Sequence, residues 1–218
     1  MGQSHGKAKP AGDIIFLDID GVLNTRSSRD DGDHLPVQEC LDNLAHIIKH
    51  AHRPSIVLSS TWRLDSTLLS ALKKVFDERG LEILDCTPDL EKGHTGDRVD
   101  EILLWLSKYS TAGKRAPAWV AIDDLDLLRM NPRLDAKNFM RTRDSSGLTA
   151  DCAEEVVAKL RRARGSVRSV EGGDVGGGRS GRSGARAGSG GDSVGGSSRG
   201  SSGKGERPMH KGVREEAR

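Results

Sequence analysis

An α/β domain with a central, mainly parallel sheet and helices on both faces is predicted by three observations. Short, nearly unbroken apolar runs alternate along the chain with stripes of apolar residues at helical spacing. Three of the four clearest runs lead into Asp18, Ser59 and Asp123, and ligands of such sheets bind beyond the carboxyl ends of the strands. Composition then confines the domain to the earlier part of the chain. From Gly165 to Arg218 half of the 54 residues are glycine or serine (17 and 10), and the segment has a net charge of +4. Residues 1–164 hold 24 basic and 26 acidic side chains, so the basic balance of the 218-residue chain belongs to its end. A segment without apolar runs cannot offset its ordering entropy. The expected organisation is a flexible N-terminus over 1–12, a folded domain over 13–163 and a disordered Gly/Ser/Arg-rich tail over 164–218.

Each element has its own justification. Ile14–Leu17 is a buried-strand run that meets Asp18 and then Gly21. Asn24–Leu35 is polar and charge-rich and reads as an exposed loop. Pro36 opens a helix with Leu41, Leu44, Ile47 and Ile48 on one face. Ser55–Leu58 is the second strand, ending in Ser59-Ser60-Thr61-Trp62-Arg63. Asp65 can cap the next helix, whose stripe of Leu68, Leu69, Leu72, Val75 and Phe76 stops at Gly80. Leu81–Leu84 is a weaker strand. A loop through Pro88 and Gly93 leads to a helix from Asp97, with Val99, Ile102, Leu103 and Leu106 aligned. Trp119–Ile122 is a strand that runs into Asp123-Asp124, and Phe139-Met140 is a short edge strand. Thr149 caps a last helix carrying Cys152, Val156, Val157 and Leu160.

Several classes are excluded at this level. The longest apolar runs, such as Ile14–Leu17 and Ala118–Ile122, fall far short of a membrane span. Behind Lys7 and Lys9 no apolar stretch is long enough for a secretory signal. Gly6 stands where a myristoylation signal starting at Met1-Gly2 requires Ser or Thr. Cys40, Cys86 and Cys152 are odd in number and widely spaced, which reads as reduced thiols of an intracellular, cytoplasmic protein. A monomer without a membrane partner is expected.

Asp18 and Asp20 flank Ile19, and positions two apart at a strand end face one side. Gly21 lets the chain turn sharply behind them. Asp123 and Asp124 end another strand at the same rim of the sheet. Carboxylates crowded in this way repel one another unless a cation lies between them, and hard oxygen donors with positions left for water and phosphate suit Mg²⁺. Singly, each acid is an ordinary cap or loop residue; together, Asp18, Asp20, Asp123 and Asp124 read as a metal site. Asp126 reads as an exposed loop acid or a further ligand, and His46 and His50 share a solvated helix face without ligand spacing elsewhere.

Phe16-Leu17-Asp18-Ile19-Asp20-Gly21-Val22-Leu23 resembles the first motif of the haloacid dehalogenase-like (HAD) phosphohydrolases, Leu58-Ser59-Ser60 the second and Ala121-Ile122-Asp123-Asp124 the fourth. The resemblance is closer to the small HAD domain of Swiss Army Knife RNA repair proteins, through Ser60-Thr61-Trp62-Arg63, Arg98 with Glu101-Ile102 and Trp105-Leu106, and Gly147-Leu148-Thr149. It covers about residues 13–163. It implies a Rossmann-like HAD fold and a Mg²⁺-dependent phosphomonoester phosphatase, with Asp18 as nucleophile forming an aspartyl-phosphate and Asp20 as general acid and base. It also implies that the backbone carbonyl of Asp20 joins Asp18 and Asp123 on the metal. Ser59, with Ser60 as the alternative, would hold a phosphoryl oxygen. Arg98, with Lys92 as the competitor, would be the phosphate-binding cation. Arg63 could meet a substrate phosphate or an acidic neighbour such as Asp65, and Trp62 is the commoner packing residue rather than a base-stacking one.

The stretches Asn24–Pro36 and Thr87–Asp97 are too short for the cap domains of such enzymes. A minimal cap implies an open site that accepts the end of a large substrate, and a nucleic-acid end phosphate is the first expectation. Rival readings are a phosphoprotein phosphatase and a non-catalytic phosphate- or RNA-binding module, though a binding module needs no second acid at Asp20. Arg182, Arg186 and Arg199 of the tail could hold RNA phosphates weakly, but without aromatic residues the tail reads first as a plain flexible segment.

Overall fold

The computed structural model describes residues 12–30, 35–90, 98–109 and 117–171; for 109 and 165–171 only the backbone is described. The apolar runs become a five-stranded parallel sheet. Its strands are β1 (Ile14–Leu17), β2 (Ser55–Leu58), β3 (Ile83–Cys86), β4 (Trp119–Asp123) and β5 (Phe139–Arg141), in the order β3-β2-β1-β4-β5. The most continuously apolar run takes the centre: all four residues of β1 are inaccessible to solvent, as a strand covered on both faces requires.

Among the described residues six α-helices surround the sheet: α1 (Arg26–Asp30), α2 (Gln38–His50), α3 (Ser66–Asp77), α4 (Arg98–Tyr109), α5 (Leu127–Met130) and α6 (Ala150–Glu171). Alternation along β1 divides the core between the faces. Ile15 and Leu17 pack with Leu44 and Ile47 of α2, Leu72 and Phe76 of α3, and Val156 and Leu160 of α6. Ile14 and Phe16 pack on the other face with Val99, Ile102 and Trp105 of α4 and Leu127 of α5. Phe16 meets Trp105 edge-on, with ring centroids 5.4 Å apart. Burying side chains of this size contributes about 1.5–3 kcal/mol each. Trp105 directs its Nε1–H to Asp85 on β3 at 2.8 Å, which ties α4 to the edge of the sheet.

The helix signals act as expected. The Asp65 carboxylate accepts the N–H groups of Thr67 and Leu68 at 2.8 and 3.1 Å. Thr149 Oγ1 accepts the N–H of Cys152 at the start of α6.

Three expectations need correction. Asn24–Leu35 is not simply an exposed loop: Asn24 and Thr25 are buried, and Arg26–Asp30 forms a helical turn. The third strand begins two residues later than Leu81, because Leu81 turns into the core under α3. The last helix continues to Glu171, past the expected domain end at residue 163. The N-terminus expected to be flexible, except Gly12, and the tail beyond Glu171 lie outside the described residues. No described helix is long and apolar enough to cross a membrane.

Candidate active site

Register brings the reactive strand ends together. Leu17 of β1 stands opposite Leu58 of β2 and Ile122 of β4, so the next residues, Asp18, Ser59 and Asp123, share one rung at the carboxyl rim. Backbone bonds lock that rung: Asp18 N–H donates to the Ile122 carbonyl at 3.0 Å and Ser59 N–H to the Leu17 carbonyl at 2.8 Å. Two residues earlier, Phe16, Val57 and Ala121 all face α4, and strand alternation turns the rung residues the same way. Arg98, the first residue of α4, is thus positioned to reach them.

A single guanidinium nitrogen, Arg98 Nη1, lies 2.8 Å from Asp18 Oδ2 and 2.7 Å from Asp123 Oδ2. All three side chains are almost fully buried. Burial raises the Asp18 carboxyl above its ordinary range, against the opposing pull of Arg98 and a hydrogen bond from Ser60. Burial and then the charge of Asp18 raise Asp123 to about 7, again with Arg98 opposing. For Arg98, burial pulls downward, but the two carboxylates outweigh it and hold the guanidinium charged.

Asp124 adds a third carboxylate. One oxygen from each of Asp18, Asp123 and Asp124 lies within 4.8 Å of the others. Burial, then the charges of Asp18 and Asp144, raise Asp124 as well. Three carboxylates facing one guanidinium leave a deficit of positive charge, and the donors are all hard oxygens. The residues therefore fit a divalent cation such as Mg²⁺.

The Asp20 carboxylate stands outside that group, half exposed and individually oriented. Trp62 donates Nε1–H to Oδ2 at 3.0 Å, Asn24 donates Nδ2–H to Oδ1 at 3.2 Å, and Arg29 Nη1 lies 3.9 Å away. The expected metal role of the Asp20 side chain is corrected accordingly: its oxygens are turned to the Trp62 and Asn24 donors. Gly21 makes the separation possible. It adopts a φ of 73°, and a Cβ there would come within 2.4 Å of Asp124 Cγ.

The two serines diverge. Ser60 Oγ accepts the Trp62 N–H at 3.4 Å, capping the turn Thr61–Leu64, and its hydroxyl donates to Asp18. Ser59 Oγ is buried and has no hydrogen-bond partner among the described residues.

Of the two expectations for Arg63, a substrate phosphate or an acidic neighbour such as Asp65, the structure gives it an acidic partner, Glu101 rather than Asp65, and corrects the substrate role. Its guanidinium donates to the carbonyls of Thr87, Ser60 and Pro88 at 3.0, 2.7 and 3.1 Å and pairs with Glu101 at 2.7 Å. With four of its five N–H donors taken and its side chain only 5% exposed, it clips the β2–α3 turn to α4. Asp126 is a cap, accepting the Arg129 N–H, and pairs with Arg141. His46 pairs with Glu154. Lys92 lies outside the described residues.

Sequence reasoning missed Trp62 as the holder of Asp20, and it missed Asn24 and Thr142. Thr142 takes a bond from its N–H to the Asp123 carbonyl (3.0 Å) and from its Oγ1–H to the Gly21 carbonyl (2.8 Å), joining the two acidic turns. The Trp62 and Thr142 bonds are set by tertiary packing, which no local pattern signals, whereas the Asn24 bond is local, reaching back four residues within the turn after β1.

A parallel α/β sheet with a strand–Asp–x–Asp turn, a hydroxyl strand end and a paired-acid strand end on one rung defines a HAD-type site. Residues 14–153 match the family model described as the HAD domain in Swiss Army Knife RNA repair proteins. The chain belongs to this family, and with it to the HAD-type phosphohydrolases in general. No curated protein and no solved structure matches it.

Proposed function

We propose that the protein is a Mg²⁺-dependent phosphomonoester phosphatase that works through an aspartyl-phosphate on Asp18. The observation that carries this reading is the shared rung of Asp18, Ser59 and Asp123, with Arg98 Nη1 held between the two carboxylates. Asp18, Asp123 and Asp124 would hold the metal, together with the backbone carbonyl of Asp20. Bound there, the ion supplies positive charge for the phosphoryl oxygens.

The side chains do the rest. Asp18 attacks phosphorus, forming its acyl-phosphate as the ester P–O bond breaks. Asp20 gives its proton to the leaving oxygen, then takes one from the water that attacks the acyl-phosphate, releasing inorganic phosphate and restoring Asp18. Trp62 and Asn24 hold Asp20 in place for both transfers. The unpartnered Ser59 hydroxyl donates to a phosphoryl oxygen, and Arg98 offsets charge on the transferring group, where most of the catalysis lies.

Nucleic-acid end phosphates are the proposed substrate class, supported by the family's description and by chain segments too short for a cap. The test is hydrolysis of a generic aryl phosphate with and without Mg²⁺, in wild type and Asp18→Asn. Metal-dependent turnover that disappears in the variant supports the reading. Phosphate binding without turnover in wild type replaces it with a non-catalytic binding module.

A further inference from the structure

A cleft of about 590 Å³ opens beside the acidic group, lined by Asp124, Asp126, Arg141, Thr142, Arg143 and Asp144 along with Leu125. Its acids are largely spoken for. Asp126 pairs with Arg141, whose Nε–H also donates to the Asp124 carbonyl at 3.0 Å, and Asp144 pairs with Arg29. Arg143 differs from these arginines. Its side chain is exposed, and among the described residues it has no hydrogen bond or ion pair.

The backbone of Arg143 is nonetheless fixed. Its carbonyl accepts the N–H groups of Ser146 and Gly147 at 3.0 and 2.8 Å. Gly147 sits with a φ of 63° where a Cβ would come within 2.6 Å of the Val22 carbonyl, so the turn is pressed onto the segment that follows Asp20 and Gly21. The preceding residue, Thr142, is bonded to both acidic turns. A free cation is thereby held on a rigid base, in the cleft that begins at Asp124. A small phosphomonoester has nothing to offer it. A substrate with a second anion beside the phosphate being removed does.

Resting on the phosphatase reading above, we propose that Arg143 is the specificity-determining residue of this site. Its guanidinium takes the phosphodiester adjoining the scissile end phosphate, and the preferred substrate is the phosphorylated end of a polynucleotide strand. A polynucleotide always carries that neighbouring anion, whereas residues flanking a phosphorylated side chain in a protein carry charge of either sign. Arginine suits the task because its planar fork matches phosphate oxygens.

The experiment compares kcat/KM for an aryl phosphate, a mononucleotide, end-phosphorylated oligonucleotides (3′ and 5′) and a phosphopeptide, in wild type, Arg143→Ala and Arg143→Lys. In Arg143→Ala the ratio of oligonucleotide to aryl-phosphate kcat/KM falls about tenfold, the loss expected for one charged hydrogen bond, and it falls through KM. The mononucleotide ratio does not move, and Arg143→Lys recovers part of the loss. The slope of log(kcat/KM) against log salt for the oligonucleotide becomes shallower by about 0.7, one single-strand phosphate contact. Equal oligonucleotide ratios in wild type and Arg143→Ala overturn the proposal, as does a wild-type preference for the phosphopeptide. Absence of aryl-phosphate turnover in wild type is a separate outcome, and it overturns the phosphatase reading together with this one.

Discussion

Asp18 and Asp123 stand on the same rung of adjacent parallel strands and share one nitrogen of Arg98, at 2.8 and 2.7 Å. Both carboxylates are pushed upward in pKa by their own burial, so the pair is held together at a cost that a bound cation relieves.

That cost predicts a pH dependence for the metal-free protein. Asp123 moves from an ordinary 3.8 to about 7 on folding, so between those values the folded protein binds more protons than the unfolded chain. Stability therefore falls as pH rises through that window and levels off above it. Mg²⁺ requires the deprotonated acids, so the Tm gained on adding it grows over the same range. Thermal melts in chelator and in Mg²⁺ between about pH 5 and 8 check both trends, and Asp123→Asn weakens them, leaving the part that Asp18 and Asp124 carry.

Trp62→Phe keeps a buried aromatic ring but removes the indole N–H and with it the hydrogen bond to Asp20. The expected result is a kcat loss of about tenfold, with only about 1 kcal/mol lost in stability. Turnover set beside a denaturant melt separates this from a packing defect.

Gly21→Ala strains a left-handed residue and drives a methyl group into the Asp124 carboxyl. Stability falls by about 1–2 kcal/mol from the backbone alone. The Mg²⁺ concentration needed for half-maximal protection rises as Asp124 is displaced, which calorimetric titration with the metal measures.

Glu101 and Arg63 form a pair whose side chains are 3% and 5% exposed. Removing one partner strands a buried charge, and Glu101→Ala is expected to cost about 3–5 kcal/mol. A denaturant midpoint close to that of wild type would show that the clip contributes little.

Much of this arrangement was legible in the chain itself. β1, β2 and β4 were readable because strands buried on both faces are continuous apolar runs, and each led into an acid or a hydroxyl. Their convergence followed from the parallel topology, which puts all carboxyl ends at one rim. Arg98 was reachable through family resemblance alone, since nothing in its local sequence marks it as the partner of two distant acids. Apart from the local Asn24–Asp20 bond, what stayed hidden depended on long-range partners. The Trp62–Asp20 bond spans 42 positions. The role of Arg63 stayed open between substrate and an acidic neighbour because its acceptors come from three separate segments, around Ser60, Thr87-Pro88 and Glu101. The difference between Ser59 and Ser60 emerges only when the register is known and Ser60 is seen capping the turn after β2.

The most direct measurement is an acid quench during turnover of a phosphate-labelled aryl ester with Mg²⁺, followed by peptide mapping. The account predicts an acyl-phosphate label, released by hydroxylamine, on the peptide containing Asp18, with label and turnover both lost in Asp18→Asn. Turnover that leaves Asp18 unlabelled and persists in Asp18→Asn would contradict it.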